Sequence, residues 1–289
     1  MFVISGASGR TGRVVAETLL EQGKKVRVVA RTSAKAGALA ARGAEVAVAS
    51  LDDARALRRA LEGATGFYAI LPDDPSLQDF HGARRRMVDA MTTAVRASGV
   101  PYVVFLSQPA AMLPDGNGPA QDLHYAENAF RTAAPKVSVI RASYFQENVL
   151  DAAYPARQEG IYPNFLPSAD FAFPTVATRD IGALAARLLV DPPVRSEVID
   201  LVGPTYSARD MAERLGKAIG KSVHVVDIPP AAHVEALTMK AGLPRPFAEA
   251  LAEMFACLAT GRVRPQGDRV VSGTTTLEQV LSGLGAGSA

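Results

Sequence analysis

The sequence predicts an α/β protein: a doubly wound parallel sheet with a smaller α/β cap towards the C-terminus. Two observations carry the prediction. Strand-like runs rich in β-branched and aromatic residues alternate in order with helix-spaced segments through the first half of the chain, the pattern of parallel crossovers. A glycine-spaced turn, GASGRTG at residues 6–12, follows the first run at once and opens a helix. That order bares the first helical N–H groups beside a strand end, where unpaired donors and the helix dipole favour an anion.

The elements follow in turn. FVIS (2–5) is the first strand, and RVVAETLLEQG (13–23) resumes with the apolar spacing of a helix. KKVRVVAR (24–31) is the second strand and SAKAGALAARG (33–43) its helix, then AEVAVAS (44–50) and LDDARALRRALEG (51–63) repeat the pair. GFYAILPDD (66–74) is the fourth strand, followed by a long helix over 77–98. PYVVFLSQP (101–109) is nearly all apolar, as a strand covered on both faces should be. A helix carrying DLHYAENAFRTA (122–133) leads to a sixth strand, KVSVIRASYFQEN (136–148), and EVIDLVGP (197–204) supplies a seventh. Beyond about residue 145 the alternation loosens. YPNFLPSADFAFP (162–174) reads as a loop over the site, residues 205–229 as helix plus strand, and residues 244–261 as a helix with a broad apolar face. The expected division is a nucleotide-binding domain over 1–145, to which strands from about 174–203 return, and a substrate-binding cap over 146–289. The last residues, GLGAGSA, read as a frayed tail.

Composition excludes several classes. The net charge of +2 lacks the basic excess of a nucleic-acid-binding surface. The one basic run, Arg84 to Arg86, is expected to be a solvated helix face, with Phe80, Met87, Met91 and Val95 on the apolar side. The single cysteine, Cys257, has no disulfide partner in the chain and no zinc spacing, and is expected to be buried in a helix. His81, His124, His224 and His233 are scattered, so no metal site is expected. No apolar run reaches the ~20 residues that span a bilayer, and a strand begins at residue 2, so neither membrane anchor nor signal peptide is expected and the chain should be cytoplasmic.

Each glycine of the turn has its own task in binding a dinucleotide: Gly6 makes the sharp bend, Gly9 lets the backbone approach a pyrophosphate, and Gly12 lets the helix lie against the strand, with Ser8, Arg10 and Thr11 between them. In such a fold an acidic residue at the tip of the second strand binds the adenosine ribose of NAD. Here that place holds Arg31, which can take a 2′-phosphate bidentately, and Arg10 and Lys35 can join the cation cluster. NADP(H) is therefore favoured over NAD. Parallel strands hold ligands beyond their carboxyl ends. That places Ser50, Leu51 and Asp52 near the adenine and Ile70, Leu71 and Pro72 at the nicotinamide ribose, unless these residues only close the sheet. Ser107, Gln108 and Pro109 follow the fifth strand, and residues 142–148 the sixth.

No tyrosine has a lysine four residues later, and no lysine occurs between Lys35 and Lys136. The Tyr–Lys pair that protonates a ketone oxyanion is missing. An electron-poor, conjugated acceptor takes hydride with its charge delocalised and needs less from a general acid. His124 and Tyr144 are the candidate proton donors, and Gln108, Tyr144, Phe145, Asn148, Phe165, Phe171 and Phe247, with Phe173, the candidate pocket walls. Flat apolar walls would hold the acceptor against the nicotinamide.

GASGRTG, VVARTSAKAGALAARGAEV, HYAENAFRTA, IRASYFQENVL, TVATRDIGALAARLL, AGLPRPFAEAL and TTTLEQVL together resemble the NmrA-like family of atypical short-chain dehydrogenases and reductases, in particular its quinone oxidoreductases and triphenylmethane dye reductases. The resemblance implies a Rossmann domain with Arg10, Thr11 and Arg31 at NADP, hydride transfer to a small quinone-like acceptor, Asn148 on the substrate side, and a homodimer as a possible assembly. Family members often carry histidine or lysine four residues before the glutamate that is Glu127 here; this chain has Leu123 there, with His124 one step off. The family also includes regulators that bind dinucleotide and a protein partner without turnover, and a reductase dedicated to one conjugated natural product is a third reading of the sequence.

Overall fold

The computed structural model describes residues 1–284. The chain runs β1 (Phe2–Ile4), α1 (Arg10–Glu21), β2 (Val26–Ala30), α2 (Gly37–Ala40), β3 (Glu45–Val48), α3 (Ala54–Leu61), β4 (Gly66–Ile70), α4 (Phe80–Ser98), β5 (Tyr102–Ser107), α5 (Ala120–Ala133), β6 (Lys136–Ala142) and β7 (Tyr144–Phe145). It continues through α6 (Ala153–Glu159), β8 (Ile161–Asn164), β9 (Phe173–Val176), α7 (Thr178–Val190), β10 (Glu197–Val202), β11 (Thr205–Tyr206), α8 (Ala208–Ile219) and β12 (His224–Asp227). It ends with α9 (His233–Glu235), α10 (Arg245–Ala259), β13 (Arg269–Ser272) and α11 (Leu277–Leu281). An eight-stranded sheet in the order β13-β10-β6-β5-β4-β1-β2-β3 is parallel throughout, with its switch point between β1 and β4.

Alternate strand residues feed two apolar layers. Val3, Phe67, Val103, Phe105, Val137 and Val139 pack under α3, α4 and α5, while Ile4, Val28, Val104, Ile140 and Leu201 pack under α1 and α7. Gly182 lets α7 meet α1 closely, since a Cβ there would lie 2.5 Å from Cβ of Val14. A third layer, with Val149, Tyr162, Met211, Leu215 and Leu277, forms the core of the cap, where β8 pairs with β12 and β9 lies between β11 and β7.

Local chemistry sets the element limits. The helix expected from residue 51 starts at α3 because Asp53 accepts from Ala56 N–H, and that expected from residue 77 starts at α4 because Asp79 accepts from Gly82 N–H. The expected sixth strand stops at Ala142, and residues 144–145 join the small cap sheet instead. The expected loop over 162–174 holds most of β8 and the start of β9. β13, absent from the sequence reading, completes the main sheet beside β10. Cys257 is buried in α10. The tail reading falls mostly outside the described residues. Among the described residues no helix is long and apolar enough to cross a membrane.

Candidate active site

The turn between β1 and α1 sits at the switch point of the sheet. Gly6 adopts φ +63, a left-handed conformation, and a Cβ there would lie 2.0 Å from Ile70 Cδ1. A Cβ on Gly12 would meet Gly6 O at 2.5 Å, so only glycine brings α1 so close to the strand end. Gly9 is the N-cap of α1 with no side-chain partner for the helix donors, and Ser8, Gly9 and Arg10 are exposed while Thr11 is buried. Ser5 ties the two strands beneath the crevice, donating to Tyr68 O at 3.0 Å and accepting from Ile70 N–H at 3.0 Å. The result is a shallow cradle of unpaired N–H groups, of a shape and polarity that fit a pyrophosphate.

To one side of the cradle, Arg31 and Lys35 are exposed and form no ion pair or side-chain hydrogen bond among the described residues. Ser76 hydrogen bonds hold the Asp74 carboxyl below its ordinary range, and the Arg31 charge adds to the effect, so Arg31 is within electrostatic reach of the loop after β4. Ser50 and Leu51 are half-buried and Asp52 exposed beyond β3, with Leu51 packed on the core. Leu71 is 7% exposed and turns into the core, so its side chain is withdrawn from the crevice, whereas Ile70 stays half-buried over Gly6.

Pro72 is engaged by a group that the sequence reading assigned to solvent. Arg84 is 1% exposed: it donates to Pro72 O at 3.0 Å, to Pro119 O at 3.3 Å, to Asp73 and, through Nε, to Asp122 Oδ2 at 3.1 Å. Asp122 is fully buried and also meets His81 Nδ1 at 2.7 Å. Of the three expected surface arginines only Arg85 and Arg86 are exposed. Arg84 instead pins the loop after β4 to the start of α5, because a buried guanidinium needs several acceptors and this junction offers four.

On the other side, Ser107 ends β5 with its hydroxyl donating to Glu127 at 2.6 Å, and Arg141 binds the same carboxylate at 3.0 and 2.7 Å. Glu127 is thus internally paired. Leu123, one helical turn before it, offers no proton. His124 is half-buried, with Nδ1 2.8 Å from Ala111 O and Nε2 3.1 Å from Asn128 Nδ2, so both ring nitrogens have partners within the chain. Gln108 is half-buried at the head of a short 3-10 turn over Pro109–Met112.

Beyond β6, Arg10 reaches Asn148 Oδ1 at 3.5 Å and Asp151 at 3.6 Å. Burial pushes the Tyr144 phenol up to about 12, with the Asp151 charge adding and Asn148 and Arg10 opposing. Its neighbours in sequence are joints. Gln146 donates to Thr175 Oγ1 and Thr275 O, Glu147 accepts from Thr178 N–H and hydroxyl at the head of α7, and Asp180 accepts from Thr275. Of the three polar residues Gln146, Glu147 and Asn148, only Asn148 turns to Arg10.

The expected wall aromatics divide into separate groups. Tyr144 meets Phe173 edge-on at 5.3 Å and Phe171 lies 6.4 Å from Phe173. Phe165 stacks on Phe255 at 5.1 Å beside His233, and Phe247 packs on Phe80 at 5.1 Å. Phe145 packs on the main-sheet core. The candidate wall aromatics therefore fall into three clusters held by ring contacts, with Phe145 apart from them on the sheet core. Among the described residues no group of three or more His, Cys, Asp or Glu side chains is arranged to hold a metal.

The chain is similar to quinone oxidoreductase 2 of Escherichia coli (strain K12), 28% identical over 259 residues covering 88% of this chain and 86% of that protein. It is also 27% identical to (4-alkanoyl-5-oxo-2,5-dihydrofuran-3-yl)methyl phosphate reductase of Streptomyces griseus, covering 90% and 88%. The crystal structure of an NADPH-dependent quinone oxidoreductase from E. coli complexed with NADPH matches with a TM-score of 0.82 and 26% identity over 98% of this chain and 99% of that one. A triphenylmethane reductase from Citrobacter complexed with NADP(H) shares the fold, with a TM-score of 0.80 at 19% identity over 98% and 99%. Residues 1–280 match the NmrA-like family, and the chain belongs to it.

Proposed function

We propose that this chain is an NADPH-dependent oxidoreductase that passes hydride to a small conjugated acceptor such as a quinone. The observation that carries the reading is the pairing of a bared helix N-terminus at the switch point with Arg31 at the adjoining strand tip, where a carboxylate would be needed for NAD. Gly6, Ser8, Gly9, Thr11 and Gly12 would hold the pyrophosphate, Arg31 and Lys35 the 2′-phosphate, Ser50 and Asp52 the adenine edge, and the main chain at Ile70–Pro72 the nicotinamide ribose. NADPH, when bound, supplies the hydride.

The protein's own part is positioning. Arg84 holds the Pro72 carbonyl and with it the loop over the crevice. Asn148 and Tyr144, with Gln108 and the Phe171–Phe173 group, would face the acceptor. Leu123 stands where a proton donor would stand, Glu127 is paired to Arg141, both nitrogens of His124 have partners, and burial makes the Tyr144 phenol a weak acid, so among the described residues there is no strong general acid for an unactivated ketone. That suits an acceptor whose product anion is delocalised and takes its proton from water. The names of the E. coli and Streptomyces relatives both denote conjugated carbonyl rings, which supports the acceptor class.

Calorimetry should give tighter binding of NADPH than of NADH, and Arg31→Asp should weaken NADPH by about 10- to 100-fold, the worth of a charge-assisted hydrogen bond to phosphate. Loss of NADPH absorbance with several quinones completes the case. Binding without turnover on any acceptor would point instead to a non-catalytic regulator, and indifference to both nucleotides would overturn either reading.

A further inference from the structure

Three buried side chains join two strand ends to the helix that covers them. Ser107 closes β5, Arg141 stands opposite it in register on β6, and Glu127 reaches both from α5. They are 3%, 9% and 3% exposed respectively. The Glu127 carboxylate accepts from Ser107 Oγ at 2.6 Å and from Arg141 Nε and a terminal nitrogen at 3.0 and 2.7 Å. A serine hydroxyl has one hydrogen and two lone pairs, and a carboxylate is acceptor-only. The single hydrogen of Ser107 is therefore committed to Glu127, while its lone pairs receive no donor among the described residues. Two N–H groups from a planar guanidinium fix the carboxylate in that orientation. Donation to an anion also makes the hydroxyl oxygen a stronger acceptor.

We propose that the Arg141–Glu127 pair holds Ser107 as an obligate hydrogen-bond acceptor at the floor of the site, selecting a ligand that presents an N–H or O–H donor to it. The inference rests on the NADPH-dependent reading and deepens it. Ser107 stands at the carboxyl end of β5, two strands from the β1 turn, on the arm of the crevice that the acceptor and the reactive ring would share. It binds no carbonyl oxygen there, because it has no hydrogen left to donate. The donor comes either from the carboxamide of the nicotinamide or from an amino or hydroxyl group on the acceptor ring. Glu127 and Arg141 act through Ser107 and are positioning residues.

The test measures binding by calorimetry on the full chain, with no turnover. One arm compares NADP+ with its 3-acetylpyridine analogue, in which a methyl replaces the carboxamide NH2. The other compares 2-amino- with 2-methyl-1,4-naphthoquinone on the NADP+ complex. In the native protein one pair should show the donor-bearing ligand bound about tenfold more tightly, and the responding pair identifies the source. Ser107→Ala should remove that preference. In Glu127→Gln the amide oxygen stays with Arg141 and its NH2 turns to Ser107, which frees the hydroxyl hydrogen, so the preference should vanish or reverse. Adding Glu127→Gln to Ser107→Ala should leave the ratio unchanged, whereas a purely structural effect would act alike in both backgrounds. A ratio near one for both pairs in the native protein, or a preference that survives Ser107→Ala, overturns the assignment while leaving the NADPH reading intact. Failure of NADP+ to bind the native protein overturns both. Should Glu127→Gln fail to fold, the Ser107→Ala comparison still decides.

Discussion

Gly12 carries more of the site than any charged residue near it. A methyl there would stand 2.5 Å from the Gly6 carbonyl, an unyielding backbone atom, so Gly12→Ala should destabilise by about 1–3 kcal/mol and weaken dinucleotide binding, read by thermal melts and calorimetry. Tyr144 makes a second prediction through its proton. With the phenol raised to about 12 it stays neutral at working pH, so Tyr144→Phe should leave the shape of the pH–rate profile unchanged below about pH 9. Burial likewise lifts Tyr102 to about 12. Because the unfolded phenols lose their protons first, near 10, the stability these groups contribute is complete below that value. It is lost as pH rises towards 12, and a Tyr102→Phe, Tyr144→Phe double variant should flatten the decline in a urea titration. The glycine turn was legible in the sequence because its backbone geometry is set locally. Arg84 was not: its partners are Pro72 and Asp73, eleven or more residues away, and Asp122, a further helix on, so nothing in the ARRRM run distinguishes it from its exposed neighbours.

The starts of α3 and α4 were legible to within a few residues, and the capping aspartates 53 and 79 explain the difference, whereas α7 was not read as a helix. The later strands were harder to read, because their pairing is non-local: in the cap, β8 carries Pro163 and finds its partner β12 some sixty residues later, and in the main sheet β13 is a short edge strand with Val270 exposed. α7 shows the same dependence. Its N-cap residue, Ala177, has no side-chain acceptor, and Glu147, from the segment after β6, replaces one with bonds of 2.9 and 2.6 Å to Thr178. Glu147→Ala should therefore cost about 1–2 kcal/mol in chemical denaturation, while Glu147→Gln, which retains an acceptor, should cost less.

At the scale of the whole molecule the chain leaves the main sheet for the cap and returns twice, with α7–β10 and then β13. Residues 1–145 expressed alone should lack a cooperative unfolding transition, since the layer under α1 would lose Ile181, Leu184, Ala185 and Leu188. Arg84→Met should lower global stability by about 3–5 kcal/mol by leaving Asp122 buried without its main cation, a loss visible in the urea midpoint. The parallel sheet was readable from the alternation of strands and helices. The partition of the aromatics was not, because phenylalanine at helical spacing suits a core and a pocket equally, and only Phe80, Phe173 and Phe255 decide which cluster each joins. The opposed departure of β2 and β4 from β1 has an evolutionary consequence. On the proposed reading, nucleotide preference would be written on the β2 wing of the sheet and reactant preference on the β4 wing, with the glycine turn between them. Mutations on the two wings should therefore combine additively, leaving lineages free to exchange one substrate for another while retaining the same reductant.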